Sequence, residues 1–227
     1  MSRTIAPQAQ PVLPPAVRRP LAVVAVLAAL VVGVLAVVFA GDHTGSAVDR
    51  ALDPWLESST TATEPLPKVI DFAGEPVGLA SLVVLLVVVS LLLHRGRVAA
   101  LVVLGTGLTI TVTSVIKPFV GRTIHEVFLS YPSGHTASAT ALAMIAVMLG
   151  WHRLRPAVAL TLLFGVAIVV GAAAAWAQAG LVAHYPTDTL GGWCTTLAVV
   201  PATAWLIDQA ADRMASIRAR NRPGPYA

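Results

Sequence analysis

Charge is scarce in this chain. Only 11% of its 227 residues are Asp, Glu, Lys or Arg, and set against 56% hydrophobic residues this excludes an ordinary soluble domain. Cysteine is scarcer still: Cys194 stands alone, so neither an intrachain disulfide nor a cysteine-built metal site is available. No internal repeat is visible at solenoid or transporter periods, which removes support for a repeat-built transporter. The chain has long apolar runs instead, with a mean hydropathy of +0.79. A bilayer core about 30 Å thick needs roughly 20 mainly apolar residues per helix. Six stretches come close, near Leu21–Ala40, Val77–Leu93, Val98–Ile116, Thr136–Trp151, Ala157–Trp176 and Leu190–Ile207. The first ends in a small residue, as a signal peptide would, but its apolar core is too long for that, and it is expected to stay as an anchor. The expected fold is therefore all-α, a polytopic bundle of six transmembrane helices with both termini cytoplasmic.

Orientation follows from the basic residues, which favour the cytoplasmic side of short loops. With six spans, the ends and even loops share Arg3, Arg18, Arg19, Arg95, Arg97, Arg153, Arg155, Arg213, Arg218, Arg220 and Arg222. The other side keeps only Arg50, Lys68, Lys117 and Arg122, together with every acidic residue except Asp208 and Asp212. The pI near 9.8 is thus a topology signal, and no nucleic-acid partner is implied. Residues 1–20, rich in proline, read as a disordered cytoplasmic lead. Residues 21–207 form the membrane domain, with a long external loop over 41–76. Within it AVDRALDPWLES reads as a short interfacial helix or a plain polar connector. Residues 208–227 read as a basic cytoplasmic tail, helical until Pro223 and Gly224.

Three polar clusters fall on the external side: KPFVGR (Lys117–Arg122), YPSGHT (Tyr131–Thr136) and AHYPTD (Ala183–Asp188). In the second, Ser133 is a capping residue and Gly134 permits close backbone approach. The free N–H groups of that helix start make a seat for phosphate. His135, in the first turn, can give a proton to whatever anion those amides hold. In the third, Pro186 suits the first turn of a helix, which puts Asp188 in that turn and His184 just before it. A carboxylate there can accept the imidazole Nδ1–H and leave Nε2 as a nucleophile. Lys117 and the planar fork of Arg122 add two cations, so the face as a whole suits an oxyanion. Taken singly, each cluster also has a plain reading as a helix cap, a surface pair or a snorkelling anchor.

Together and in order, these motifs resemble the type-2 phosphatidic acid phosphatase family, whose motifs are K-x6-R-P, P-S-G-H and S-R-x5-H-x3-D. The resemblance spans about Val98 to Leu206. Pro132, Ser133, Gly134 and His135 match the second motif; His184 and Asp188 match the end of the third. It implies that His184 attacks phosphorus, Asp188 orients it and His135 protonates the leaving oxygen, with no metal or cofactor. Lys117, Arg122 and the amides around Ser133 and Gly134 would bind the phosphate oxygens. Counted from Lys117, the family's Arg-Pro falls on Ile124 and His125, so Arg122 sits two residues early. The family's Ser-Arg is replaced by Ala177-Gln178, which removes a charge and a bidentate fork.

The resulting expectation is a membrane phosphatase acting on a lipid phosphate or isoprenoid pyrophosphate at the outer face of the cell membrane. The alternative is a non-hydrolytic protein that binds lipid phosphates or scaffolds a cell-envelope assembly. A metal site from His125, Glu126, His135 and His184 lacks a ligand-spacing pattern, and Ser133 lacks the context of a hydrolase nucleophile.

Overall fold

The computed structural model describes residues 10–60 and 65–220. Its helices are α1 (Pro15–Val38), α2 (Ala47–Ser59), α3 (Pro65–Phe72), α4 (Pro76–Leu92), α5 (Gly96–Val120), α6 (Gly134–Gly150), α7 (Pro156–Gly180) and α8 (Pro186–Arg220). A short hairpin of β1 (Thr123–Ile124) and β2 (Phe128–Leu129) is the sheet among the described residues. Helices α1, α5, α7 and α8, and α6 together with the 3-10 turn that continues it to Arg153, are long and apolar enough to cross a membrane. The expected all-α polytopic bundle is what is found.

Proline opens five of these helices, at Pro15, Pro65, Pro76, Pro156 and Pro186. Its missing N–H costs nothing in a first turn, and its fixed φ suits the helix. The second expected span is the exception to a simple rod. Helix α4 has 17 residues and reaches membrane length only with α3, to which it is bent by 59°. Gly78 makes that elbow possible, since a Cβ there would lie 1.8 Å from the Phe72 carbonyl oxygen.

Helix α8 is the axis of the bundle and packs on α1, α5, α6 and α7. Its apolar window is 61% buried, against 17% for α1, so α1 sits at the rim with most of its surface left for lipid. Small residues bring the axis close to its neighbours. Gly171 on α7 faces the Trp193 ring, whose Nε1 donates to the Ala167 carbonyl at 2.9 Å.

At the end of the bundle away from the three polar clusters, Asp208 is buried and accepts from the backbone N–H groups of Val12 (2.8 Å) and Leu13 (2.9 Å) and from Arg97 Nη1 (3.1 Å). Trp151 Nε1 donates to the Val12 carbonyl at 2.9 Å. Residues 12–20, expected as part of a disordered lead, are instead packed at Val12 and Leu13 and helical from Pro15. The sequence pattern missed this because the partner carboxylate lies 196 residues away. Residues 1–9 of the lead and 221–227 of the tail, with Pro223 and Gly224, lie outside the described residues; the tail is helical as far as Arg220.

Candidate active site

Four segments meet at the other end of the bundle: the α3–α4 elbow, the hairpin after α5, the start of α6 and the α7–α8 turn. Gly121, left-handed at φ 65°, ends α5 and frees the chain for Arg122. The hairpin then turns at His125 and Glu126, with φ 53° and 62°, and the Ser130 N–H closes it on the Arg122 carbonyl at 2.9 Å. Positive φ at both central residues is the signature of a type I′ turn, whose twist matches that of paired strands.

Arg122 is fully buried and its fork is completely engaged. Nη1 donates to Asp188 Oδ1 (2.6 Å) and Thr187 Oγ1 (2.7 Å), Nη2 to Asp49 Oδ2 (2.6 Å), and Nε and Nη2 to Asp42 Oδ2 (3.2 and 3.1 Å). The Phe39 and Tyr185 rings lie over the guanidinium, at 4.0 and 4.6 Å from Cζ to the ring centroids. Burial pushes the Asp49 carboxyl up, but hydrogen bonds from Thr187, Ser46 and Arg122 outweigh it, and the group rests below the usual carboxylate range. Asp42 follows the same balance with weaker burial. Arg122, expected to hold phosphate, thus presents no free N–H to a ligand and instead ties α2, the hairpin and α8 together. The AVDRALDPWLES helix expected in the external loop exists as α2, and its Asp49 belongs to this knot.

The α7–α8 turn carries His184. The Val182 N–H bonds the Ala179 carbonyl and the Ala183 N–H bonds the Gln178 carbonyl, each at 2.9 Å, with Val182 at φ 56°. This is a Schellman closure with a β-branched residue where glycine is usual, a local strain of about 1–3 kcal/mol beside the histidine. His125 Nε2 braces it by donating to the Val182 carbonyl at 2.8 Å. His184 is 8% exposed, and its Nδ1 stands 3.7 Å from Asp188 Oδ2 without a hydrogen-bond partner. Asp188 occupies the first turn of α8 as expected, but that oxygen accepts the Tyr185 N–H at 3.0 Å. Such contacts often tighten only when substrate is bound. Burial pushes the His184 imidazole below its ordinary range, with Asp188 opposing in part, so it is neutral near pH 7.

His135 faces His184 with ring centroids 6.5 Å apart. Ser133 caps α6, accepting the Thr136 N–H at 3.4 Å, and its own N–H donates to the Asp188 carbonyl at 2.9 Å. The N–H groups of Gly134 and His135, in the first turn, have no helical acceptor. The close approach comes from a glycine pair that pattern reading passed over. A Cβ on Gly192 would lie 2.2 Å from the Ser133 carbonyl oxygen, and one on Gly191 would lie 2.4 Å from the Tyr131 ring. Paired glycines early in a span were the available signal. Lys117 directs Nζ to the Leu129 carbonyl at 3.0 Å, which leaves two of its three donors.

Gln178, standing where a Ser-Arg pair was expected, is buried, and its Nε2 donates to Asp71 Oδ1 at the end of α3. Asp71 Oδ1 and Glu75 Oε1 in turn lie 3.7 and 3.6 Å from His135 Nε2. The histidine and carboxylates brought together are therefore Asp71, Glu75 and His135, not the group of His125, Glu126, His135 and His184. A cavity of about 160 Å³ lined by Asp53, Ile124, His125 and His184 opens beside the turn. An apolar groove of about 430 Å³ runs between α4, α6 and α7, from Ala73 at the elbow past Leu82, Leu86 and Leu142.

A family model described as the PAP2 superfamily matches residues 98–212, the stretch that holds both histidines. No curated protein and no solved structure matches the chain.

Proposed function

The chain belongs to the PAP2 superfamily, and from that premise we propose that it is a membrane phosphatase that hydrolyses a lipid phosphate or isoprenoid pyrophosphate at the outer membrane face. The observation that carries this reading is the pair of imidazoles, His135 at the start of α6 and His184 in the α7–α8 turn, with ring centroids 6.5 Å apart and His184 buried and neutral. In-line transfer needs a nucleophile about 3 Å from phosphorus and a proton donor within hydrogen-bond reach of the leaving oxygen. Together these ask for two imidazoles facing one space wide enough for a phosphoryl group between them.

The His184 Nε2 lone pair attacks phosphorus as the bond to the leaving oxygen breaks, and His135 gives that oxygen its proton. Water then attacks the phosphohistidine, His135 takes a proton from it, and the P–N electron pair returns to Nε2. Lys117 and the first-turn amides of α6, at Gly134 and His135, neutralise the phosphoryl oxygens, with Ser133 setting their position. Asp188 orients His184, and Arg122 acts through Asp188 by holding it in place. This chemistry needs no metal or cofactor.

A lipid substrate is supported by the groove that begins at Ala73, next to Gly74, whose position is pressed against His135. The outward-facing side rests on the described arginines Arg18, Arg19, Arg95, Arg97, Arg153 and Arg155 at the other end of the bundle and Arg213, Arg218 and Arg220 in the tail. The test is release of phosphate from a panel of lipid phosphates and pyrophosphates by protein purified in detergent. We expect activity that persists in EDTA and is blocked by vanadate.

The second reading, a non-hydrolytic binder of lipid phosphates, is favoured by Gln178 alone. Losing a charge-assisted hydrogen bond costs roughly 1.5–3 kcal/mol, a factor of about ten to more than a hundred if felt in the transition state. A rise in turnover in Gln178→Arg supports the enzyme. Tight binding without release, unchanged in that variant, supports the binder.

A further inference from the structure

We propose that Asp71, Glu75 and His135 form a site for one divalent transition-metal cation, zinc foremost, and that an ion held there withdraws His135 from the reaction. The inhibitory half rests on the role given to His135 above; the binding half stands without it. Asp71 closes α3, Glu75 precedes the first residue of α4 and His135 lies in the first turn of α6, so the α3–α4 elbow delivers two carboxylates to one imidazole. The elbow is held against the ring, since a Cβ on Gly74 would lie 2.4 Å from His135 Cδ2.

The distances suit an ion better than direct hydrogen bonds. His135 Nε2 is enclosed without a hydrogen-bond partner and lies 3.7 Å from Asp71 Oδ1 and 3.6 Å from Glu75 Oε1. With zinc–ligand bonds of roughly 2.0–2.2 Å, neighbouring ligand atoms in a tetrahedron stand about 3.3–3.6 Å apart. The two edges that meet at His135 Nε2 therefore already stand close to those of a zinc site, and all three ligand atoms lie within 4.8 Å of one another.

A second observation comes from Gln178, which is 1% exposed. Its Nε2 fixes the Asp71 carboxylate, while Oε1 of the same amide is buried with no donor. A water bound to the cation would supply that donor. Two carboxylates balance a divalent charge, and the imidazole nitrogen selects zinc over magnesium or calcium, which prefer all-oxygen ligands. The fourth position stays open to water or phosphate. With its Nε2 lone pair in a metal bond, His135 has no nitrogen on that side to carry the proton.

The experiment titrates ZnCl2 into chelator-treated protein in detergent, by calorimetry and by metal analysis after desalting, and follows phosphate release over the same range. One zinc per chain is expected, with turnover lost at the same half-saturation. Glu75→Gln should weaken binding at least tenfold and shift the half-inhibiting zinc concentration by the same factor, each variant being compared with its own zinc-free rate. Asp71→Asn should weaken binding similarly. Absence of one-to-one binding would overturn the site, as would binding of undiminished strength in both variants. Binding accompanied by unchanged or higher turnover would overturn the inhibitory half. If the protein proves to release no phosphate, calorimetry on the wild type and Glu75→Gln still decides the site.

Discussion

The Arg122 knot and the histidine face are neighbours joined through Asp188, yet they are built on opposite rules. Around Arg122 every donor has a partner: three carboxylates, a hydroxyl and two aromatic faces enclose one guanidinium. On the histidine face, His184 Nδ1, His135 Nε2 and Gln178 Oε1 are buried without hydrogen bonds. A satisfied buried network fixes geometry, whereas buried polar atoms left unpaired cost stability and are kept where something is to be bound. The difference separates framework from chemistry within one cluster of charges.

Crossed substitutions should break that comparison most sharply. His135→Ala is expected to cut phosphate release by about 10²–10⁴-fold with little change in thermal unfolding, as for a lost general acid. Arg122→Ala should do the reverse first, lowering stability by roughly 3–5 kcal/mol because three carboxylates lose their partner. Arg122→Lys should rescue little, since an ammonium cannot span Asp42, Asp49 and Asp188 as a planar fork does. Thermal melts beside turnover measurements check all three. Gly192→Ala comes next. A methyl 2.2 Å from the Ser133 carbonyl must push α6 and α8 apart, at about 1–3 kcal/mol, and turnover should fall by more than the melt alone accounts for.

The smallest effect is a separation in pH. His184 is depressed below its ordinary 6.5 by burial, and in the proposed mechanism the neutral ring is the nucleophile, so kcat/KM should hold as pH falls through 6.5 and drop only below it. Asp42 and Asp49 are depressed below the ordinary 3.8, so their stabilisation is present above that pH and lost as pH falls through their lower folded values. On acidification, a pH–rate profile should therefore lose activity before a pH series of melts shows loss of structure. Coincident losses would place His184 inside the framework instead.

Local features of this molecule were legible in its sequence. Apolar length placed the spans, and Pro186 placed the start of α8 and hence Asp188 in its first turn. The cap at Ser133 was readable from PSG because a cap depends on adjacent residues. What escaped depends on distant pairing. Arg122 carried the right chemistry for phosphate, but its partners Asp42, Asp49 and Asp188 lie 80, 73 and 66 residues away. The contact of Gln178 with Asp71 spans 107 residues, and it turns an apparent gap in a motif into a link to the elbow. The 59° bend between α3 and α4 was invisible to hydropathy, which sees composition but not the carbonyl that excludes a Cβ at Gly78.

The central claim is that His184 carries the phosphoryl group. Rapid acid-free quenching of the protein with a radiolabelled lipid phosphate tests it, because a phosphohistidine survives base and is lost in acid. The account predicts a base-stable label on the wild type, mapped to His184, and neither label nor phosphate release in His184→Ala. Full turnover in that variant, or turnover by the wild type with the label on another residue, would contradict it.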